Sequence, residues 1–202
     1  MAWKLAHSPK VTRVLVAPGN AGTAHEALVE NVPVTKVSEL VDLARREHVQ
    51  FTVVGPEAPL AAGVVDAFQA AGLRIFGPTR GAAQLESSKD FAKRFLSRHG
   101  IPTARYQTFA DPVAAHAYLD ANGAPIVIKA DGLAAGKGVV VAQTLAEAHA
   151  AIDQMLVDNR MGDAGARVVN IDASQSPARV MHDILGHVLQ LPAWQEIERM
   201  NV

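Results

Sequence analysis

The stretch Ile126-Val-Ile-Lys-Ala-Asp-Gly-Leu-Ala-Ala-Gly-Lys-Gly-Val-Val-Val-Ala142 decides the fold of this chain. Its two short β-branched runs, residues 126–128 and 139–141, predict two buried strands. A glycine-rich loop joins the runs, so the stretch as a whole predicts a hairpin. The glycines of this loop and the lysines beside and within it are Gly132, Gly136, Gly138, Lys129 and Lys137.

The loop has the composition of a phosphate-binding segment. Glycines allow the backbone to approach a ligand closely, and successive N–H groups form a nest for anions. Lysines beside such a nest add positive charge, so the hairpin is predicted to fold over a nucleoside triphosphate. A plain surface hairpin is the alternative. The loop is neither a Walker loop nor a dinucleotide fingerprint, because Gly138 follows Lys137 and no helical pattern follows the glycines.

Composition is that of an ordinary globular protein. The 202 residues suffice for one or two domains, and a net charge of −1 gives no sign of a nucleic-acid or membrane surface. Without cysteine, the chain has neither a disulfide framework nor a thiolate nucleophile. No apolar run approaches the roughly 20 residues of a membrane span, and the first residues lack the apolar core of a secretory signal. We expect a soluble, cytoplasmic α/β protein.

In the first part of the chain, predicted strands alternate with predicted helices. The strands are residues 13–17, 51–54 and 74–76, and the helices are 37–48 and 60–71, after a helix end at 2–8. This alternation predicts a doubly wound parallel sheet, in which ligands bind at the carboxyl ends of the strands. Three loops with Gly and Pro fall there: 18–23, 55–59 and 77–79. Glu57 adds a carboxylate to them, although a solvated turn residue is an equally good interpretation.

Residues 81–99 are predicted to be helical and to lead into a second α/β unit that begins at residue 100. Lys89, Lys93 and Arg94 lie on or near the apolar stripe of this helical segment, although a single lysine usually belongs to a solvated face.

Two N-caps predict the helices of the second unit. Asp111 precedes a proline and opens a helix that ends near residue 122, and Thr144 with Glu147 forms a capping box for a helix to residue 156. Residues 167–170 are one more predicted strand. Beyond them, residues 171–202 contain an apolar helical stripe, whose two histidines are five residues apart and are interpreted as surface residues.

Seven motifs in sequence order carry a resemblance to a known family. They are Ala-Pro-Gly-Asn-Ala-Gly-Thr (17–23), Val-Val-Gly-Pro-Glu-Ala-Pro-Leu (53–60), Ile-Phe-Gly-Pro-Thr (75–79), Ala-Ala-Gln-Leu-Glu (82–86), His-Gly-Ile-Pro-Thr-Ala (99–104), the hairpin (128–139) and Gly-Asp-Ala-Gly (162–165). The chain resembles the phosphoribosylamine–glycine ligases, also called glycinamide ribonucleotide synthetases, of the ATP-grasp superfamily. The resemblance covers residues 2–169, and several ordered motifs are more specific than one glycine-rich loop.

The resemblance implies an ATP-dependent carboxylate–amine ligase of purine biosynthesis. ATP phosphorylates the carboxylate of glycine, and the amine of 5-phosphoribosylamine attacks the acyl phosphate, giving glycinamide ribonucleotide, ADP and phosphate. The implied ATP-binding residues are Lys93, Lys129, Gly132, Gly136, Lys137 and Gly138. The residues implied to face the other substrates are Asn20, Gly22, Glu57 and Pro59. Mg²⁺ is expected with ATP, but no residue of this chain matches its ligands in the family.

The resemblance also implies a domain organisation. Residues 1–80 correspond to the substrate-side α/β domain, 81–99 to a helical linker, and 100–170 to the small ATP-grasp subdomain, while the tail 171–202 matches nothing recognised. The family's first strand and glycine-rich turn have no counterpart here, and neither does the larger ATP-grasp subdomain. We therefore expect a truncated form with little or no activity and with open strand edges in its first domain.

Two other interpretations remain open on the sequence alone. The chain could be a non-catalytic nucleotide-binding or interaction fragment, which self-associates or pairs with a complementing chain through its tail helix. It could also be another ligase of the superfamily, such as a carboxylase-type enzyme, although the motifs at 18–22 and 55–59 argue against this.

Overall fold

The computed structural model describes residues 1–134, 138–162 and 167–172. Residues 171 and 172 are described through their backbone alone. The predictions made for Gly136, Lys137, the motif at 162–165 beyond its first residue, and the tail helix lie outside the described residues. The chain divides into two compact units, residues 1–83 and residues 84–202.

The first unit alternates short strands and helices. Its elements are α1 (Ala2–Ala6), β1 (Val14–Val16), a 3-10 helix (Thr23–His25), β2 (Val29–Asn31), α2 (Val37–Arg46), β3 (Thr52–Val53), α3 (Glu57–Ala61), α4 (Val64–Ala70) and β4 (Ile75–Phe76). Helix α5 (Arg80–Ser87) follows and crosses the boundary between the units. Strand β1 pairs with β2 and β3 pairs with β4, both in parallel. The predicted α/β class with parallel strands is thus confirmed.

The described strands of this unit form two separate two-stranded ladders. The sequence pattern of β1 is that of a strand buried on both faces, but all three of its residues are only half-buried. One edge of β1 therefore has no ladder partner within the described part of the chain.

The helical stretch predicted for residues 60–71 is two helices. Gly63 has a φ of +87° and separates α3 from α4, because a left-handed residue cannot continue a right-handed helix. Pro59 lies in the first turn of α3, where its missing N–H costs no helical hydrogen bond. Strand β2 was not predicted, since its three residues give too short a pattern.

The core of the first unit lies between α2 and α4. Val65 and Phe68 of α4 are almost fully buried and pack with Ala44 of α2. Partly buried side chains from α2, α3 and β4 surround them, including Leu40, Leu60 and Ile75. Each buried side chain of the size of Val or Phe stabilises the fold by about 1.5–3 kcal/mol.

The second unit is an antiparallel sheet covered by helices. After α6 (Lys89–Arg98), its elements are β5 (Tyr106–Phe109), α7 (Pro112–Asn122), β6 (Ile126–Ala130), β7 (Val139–Ala142), α8 (Leu145–Ile152), a π-helical turn (Asp153–Val157) and β8 (Val168–Asp172). The strand order is β5-β8-β6-β7, and each neighbouring pair is antiparallel. The predicted hairpin is β6 and β7.

Alternation along β6 separates the two faces of this sheet. Ile126, Ile128 and Ala130 are buried, and they form one core with α7 and α8. Because successive side chains of a strand point to opposite faces, Lys129 lies on the face away from that core. Strand β7 was predicted to be a buried strand, which is wrong for most of its length. It is an edge strand of the sheet, and its Val141 is 57% exposed.

The predicted N-caps of α7 and α8 are confirmed. Asp111 accepts hydrogen bonds from the N–H groups of Val113 (3.1 Å) and Ala114 (3.3 Å). The Thr144 hydroxyl accepts from the N–H of Glu147, whose carboxylate accepts from the N–H of Thr144. Each such cap contributes about 1 kcal/mol of helix stability.

Residues 81–99 contain all but the first residue of α5 and the whole of α6, with a break at Ser88. The Ser88 hydroxyl accepts a hydrogen bond from the N–H of Phe91 at 3.1 Å and so caps α6. Strand β5 was not predicted. Among the described residues, no helix is both long enough and apolar enough to cross a membrane.

Candidate phosphate-binding site

A backbone hydrogen bond joins the two ends of the glycine-rich loop, which together are called the loop mouth. The N–H of Ala130 donates to the carbonyl of Gly138 at 2.8 Å, which joins the end of β6 to the residue before β7. Gly138 is buried, and a Cβ atom built there would lie 2.6 Å from the Cβ of Ala134 and 3.1 Å from that of Ala130. Only glycine fits at this position.

Lys93 approaches the site from α6. Its Nζ donates to the hydroxyl of Thr103 at 2.6 Å and to the carbonyl of Ala104 at 3.1 Å. It also lies 5.7 Å from the ring centroid of Tyr106, a cation–π distance. Burial lowers the pKa of Lys93, and the positive charge of Lys129 lowers that pKa further. The two oxygens that accept hydrogen bonds from Lys93 are thus neutral, and the nearby charge that acts on Lys93 is the cation of Lys129.

Lys89 lies one helical turn before Lys93 and contacts the loop directly. Its Nζ donates to the carbonyl of Gly132 at 2.9 Å. Burial lowers the pKa of Lys89 most, the charge of Lys129 also lowers it, and the carboxylates of Asp131 and Glu86 oppose these effects. No sequence pattern distinguishes Lys89 from a solvated lysine, because its partner is a backbone carbonyl 43 residues away.

Three ammonium groups thus share one electrostatic environment. Lys129 acts on both Lys89 and Lys93, which are partly buried, and lowers the pKa of each. Like charges that are held close together and partly withdrawn from water are stabilised by a bound anion. A polyphosphate is the anion that matches this charge and the adjacent glycine-rich loop.

Asp131 is the buried carboxylate at the base of the loop. It is 6% exposed, and its Oδ1 accepts from the Ser88 hydroxyl (3.0 Å) and from the N–H of Asp90 (2.8 Å). Its Oδ2 pairs with Arg167 at 2.6 Å. Asp131 lies within the stretch 126–142, between Lys129 and Gly132, but we predicted no role for it. This position is its signal in the sequence, and it does not reveal the distant partners of the carboxylate.

The loop after β1 contains Asn20 and Gly22, and both are exposed. The Asn20 side chain accepts from the N–H of Thr23 at 3.0 Å, and its backbone N–H donates to the Thr23 hydroxyl at 2.9 Å. Asn31, at the end of β2, donates through Nδ2 to the carbonyl of Asn20 at 2.8 Å. These bonds give the loop a fixed shape beside the carboxyl end of β1.

Glu57 and Pro59 follow β3 and belong to the first turn of α3. Glu57 is exposed and Pro59 half-buried, so a carboxylate is available at the carboxyl end of this strand. The predicted residues therefore fall into two sets. Lys93, Lys129, Gly132 and Gly138 belong to the second unit, and Asn20, Gly22, Glu57 and Pro59 belong to the first.

The described residues contain no group of three or more His, Cys, Asp or Glu side chains arranged to hold a metal ion. No residue of this part of the chain is assigned to Mg²⁺.

Known structures and families match this arrangement. The second unit, with its hairpin and lysine cluster, is of the ATP-grasp class: residues 87–175 match the model of the ATP-grasp (A) domain of phosphoribosylglycinamide synthetase. Residues 1–86 match the model of the N domain of phosphoribosylglycinamide synthetase. The chain belongs to the phosphoribosylglycinamide synthetase family.

Individual relatives agree with this assignment. The phosphoribosylamine–glycine ligase of Ralstonia nicotianae is 73% identical over 169 residues, which are 84% of this chain and 40% of the relative. The crystal structure of the Thermotoga maritima phosphoribosylamine–glycine ligase superposes with a TM-score of 0.63 at 27% identity, over 85% of this chain and 40% of that one. The chain thus spans about two fifths of the length of these proteins.

A more distant structure shows the same fold. The biotin carboxylase domain of Hydrogenobacter thermophilus 2-oxoglutarate carboxylase, solved with MgADP, has a TM-score of 0.67 at 14% identity, over 84% of this chain and 40% of that domain.

Proposed function

We propose that this chain provides the substrate-side domain and the phosphate-binding subdomain of an ATP-dependent ligase that joins glycine to 5-phosphoribosylamine. The observation that carries the proposal is the cluster of Lys89, Lys93 and Lys129 beside the glycine-rich loop, in a chain whose two halves match two domains of one enzyme. The products are glycinamide ribonucleotide, ADP and phosphate.

The chemistry has two steps. A carboxylate oxygen of glycine bonds to the γ-phosphorus of ATP while the bond from that phosphorus to ADP breaks. The amine nitrogen of phosphoribosylamine then attacks the acyl carbon, phosphate leaves, and the amine loses a proton. The first step requires mainly positioning and charge neutralisation.

The lysines of the second unit would supply that neutralisation. Lys93 and Lys129 carry positive charge next to the loop, and the free protein holds Lys93 at an energetic cost that a bound phosphate removes. We assign the ATP phosphates to Lys93, Lys129, Gly132 and Gly138, with Gly136 and Lys137 as further members of the loop. No step is assigned to a metal ion.

The loops of the first unit would bind the other two substrates. Asn20 and Gly22 follow β1 and Glu57 and Pro59 follow β3, and ligands of parallel α/β sheets bind at these strand ends. The exposed carboxylate of Glu57 suits an amine, which both glycine and phosphoribosylamine carry.

A second candidate function is nucleotide binding without ligation. It is favoured by the position of the proposed phosphate site, whose lysines and glycines all belong to the second unit. A chain with this function would act by self-association or by pairing with a complementing chain. The two functions share the phosphate site and differ in turnover.

One experiment separates these outcomes. ATP-Mg²⁺ binding is measured by calorimetry on the purified chain, on Lys129→Ala, and on Lys10→Ala, which removes an exposed lysine of the first unit. Binding lost in Lys129→Ala alone supports the phosphate site. A folded wild-type chain that does not bind ATP contradicts it. Glycinamide ribonucleotide formation then distinguishes the ligase from the nucleotide-binding fragment.

A further inference from the structure

Asp131 is a charged side chain in a place that water hardly reaches. A buried carboxylate is costly unless it is paired and its oxygens accept hydrogen bonds. At Asp131 both conditions are met: Oδ1 accepts from Ser88 and from the N–H of Asp90, and Oδ2 pairs with Arg167. Such complete satisfaction fixes the side chain in one position.

The partners of Asp131 come from separate elements. Ser88 and Asp90 belong to the start of α6, Arg167 is the residue before β8, and Asp131 itself directly follows β6. A carboxylate at the N-terminus of a helix is also favoured by the helix dipole. Asp131 therefore ties the ends of β6, α6 and β8 together at one point.

The same junction sets the distance between the charged groups of the phosphate site. Lys129 lies two residues before Asp131 on β6, and Lys93 lies one turn into α6 beyond the residues that Asp131 holds. Lys89 adds a parallel link, because it donates to the carbonyl of Gly132, the neighbour of Asp131. Two consecutive loop residues are thus bound to three consecutive residues at the start of α6.

We infer that Asp131 is a positioning residue for phosphate binding: it holds the first residues of the glycine-rich loop against α6, so that Lys93 and Lys129 face the same anion. The inference rests on the proposed function for its ligand and on the contacts above for its geometry. Asp131 itself carries negative charge and is already paired, so it does not contact phosphate.

The variants that test this are Asp131→Ala and the milder Asp131→Asn. The amide oxygen of asparagine can still accept from Ser88 and Asp90, but the charge that pairs with Arg167 is lost. The matched control is Asp111→Ala, because Asp111 also accepts two backbone N–H groups at a helix start in the same unit. Its helix is α7, which contributes no residue to the phosphate site.

The first measurement is ATP-Mg²⁺ affinity by calorimetry, with folding checked by circular dichroism. We expect Asp131→Ala to bind about tenfold more weakly or worse, because the loop and α6 would then have to be ordered against each other at the moment of binding. Asp131→Asn should lie between it and wild type, and Asp111→Ala should bind normally. Wild-type affinity in a folded Asp131→Ala or Asp131→Asn variant would overturn the inference while leaving the proposed function intact.

The second measurement does not depend on nucleotide. Hydrogen exchange at the backbone amides of residues 130–134 is compared among the same variants. Asp131→Asn and Asp131→Ala should exchange faster there than wild type, and Asp111→Ala should not. Unchanged exchange in the Asp131 variants would refute the positioning role, even if the wild-type chain proved unable to bind ATP and the proposed function failed.

Discussion

At Gly138, the neighbouring residues leave no room for a Cβ atom. Its carbonyl accepts from Ala130, and the space for a side chain is occupied by the Cβ atoms of Ala134 and Ala130. Since both obstacles are the first side-chain atoms of their residues, neither can move without its backbone. The shape of the loop mouth is therefore set by the absence of one methyl group.

We expect Gly138→Ala to lower the free energy of unfolding by about 1–3 kcal/mol, the range for overpacking, and to weaken ATP binding. Denaturant unfolding and calorimetry measure the two effects. The control is Gly72→Ala: Gly72 has a φ of +71° and nothing within 4 Å of an added Cβ. That variant should lose stability through backbone strain alone. Normal ATP affinity in Gly138→Ala would show that the loop mouth does not matter for binding.

Lys93 gives the free protein a pH dependence of known sign. Burial, and then the charge of Lys129, lowers its pKa below the 10.5 of the unfolded chain. Between the lowered pKa and 10.5, the unfolded state holds more protons, so the free energy of unfolding rises with pH. The cost of the charged group is fully present at neutral pH and is relieved as the lysine loses its proton.

Lys93→Met removes this titration. We expect the stability of the variant relative to wild type to decrease as the pH rises from about 7 to about 10.5, because only wild type gains stability as Lys93 loses its proton. Urea unfolding at both pH values measures the difference. If the free energy of unfolding of the variant minus that of wild type stays constant or increases with pH, the pKa of Lys93 is not lowered. ATP affinity should fall over the same range, since a phosphate favours the charged lysine.

At the scale of elements, the helices and strands with local signals were predictable from the sequence. The caps at Asp111 and Thr144 and the glycine-rich loop each act within a few residues, so α7, α8 and the hairpin were predictable. Strand β5 was not, because it is a strand through its pairing with β8, which comes much later in the chain. The break at Gly63 depends on a positive φ that its sequence neighbours do not require.

The residues of the candidate site also divide into those with local signals and those with long-range contacts. Lys129 and the loop glycines could be found from one stretch, because they are adjacent in sequence. Lys89 and Asp131 could not, because the roles proposed for them depend on contacts across 43 and 41 residues. Lys93 was predicted to bind ATP through the resemblance to a family.

Helices α7 and α8 are joined by a chain of four titratable side chains. The Nδ1 atoms of His116 and His149 lie 2.6 Å apart, and each ring's Nε2 lies 3.0 Å from a carboxylate, of Asp153 and Asp120 respectively. If both Nε2 atoms donate to these carboxylates, one proton must be shared between the two Nδ1 atoms. The two histidines should therefore depend on each other.

A double-mutant cycle tests this dependence. His116→Gln and His149→Gln are each expected to lower the free energy of unfolding by about 0.5–1.5 kcal/mol. The double variant should lose less than the sum, with a coupling of at least about 0.5 kcal/mol. His99→Gln combined with His116→Gln is the control and should be additive, since His99 packs on Phe95 instead. Additivity of His116 and His149 would show that their contact contributes nothing.

At the scale of the whole molecule, the two units carry different parts of the proposed reaction. The residues of the proposed phosphate site belong to the second unit, and the loops proposed to bind glycine and phosphoribosylamine belong to the first. The boundary predicted at residue 80 rests on the resemblance to a family, and the structure divides the chain at residues 83 and 84. Alternation of strands and helices could not reveal it, because that pattern describes elements and not which of them pack together.

Ligand-induced protection from hydrogen exchange should follow the same division. We expect ATP-Mg²⁺ to slow exchange in peptides covering 88–93 and 126–142, and glycinamide ribonucleotide to slow it in peptides covering 18–23 and 55–59. A ligand at 100 times its Kd stabilises the structure it binds by about 2.7 kcal/mol, which is ample for detection. Residues 112–122 serve as the internal control, since α7 packs on the opposite face of the sheet from Lys129. Protection of the first-unit loops by ATP alone would contradict the assignment of substrates to units, and protection of neither set would remove the basis for the ligase proposal.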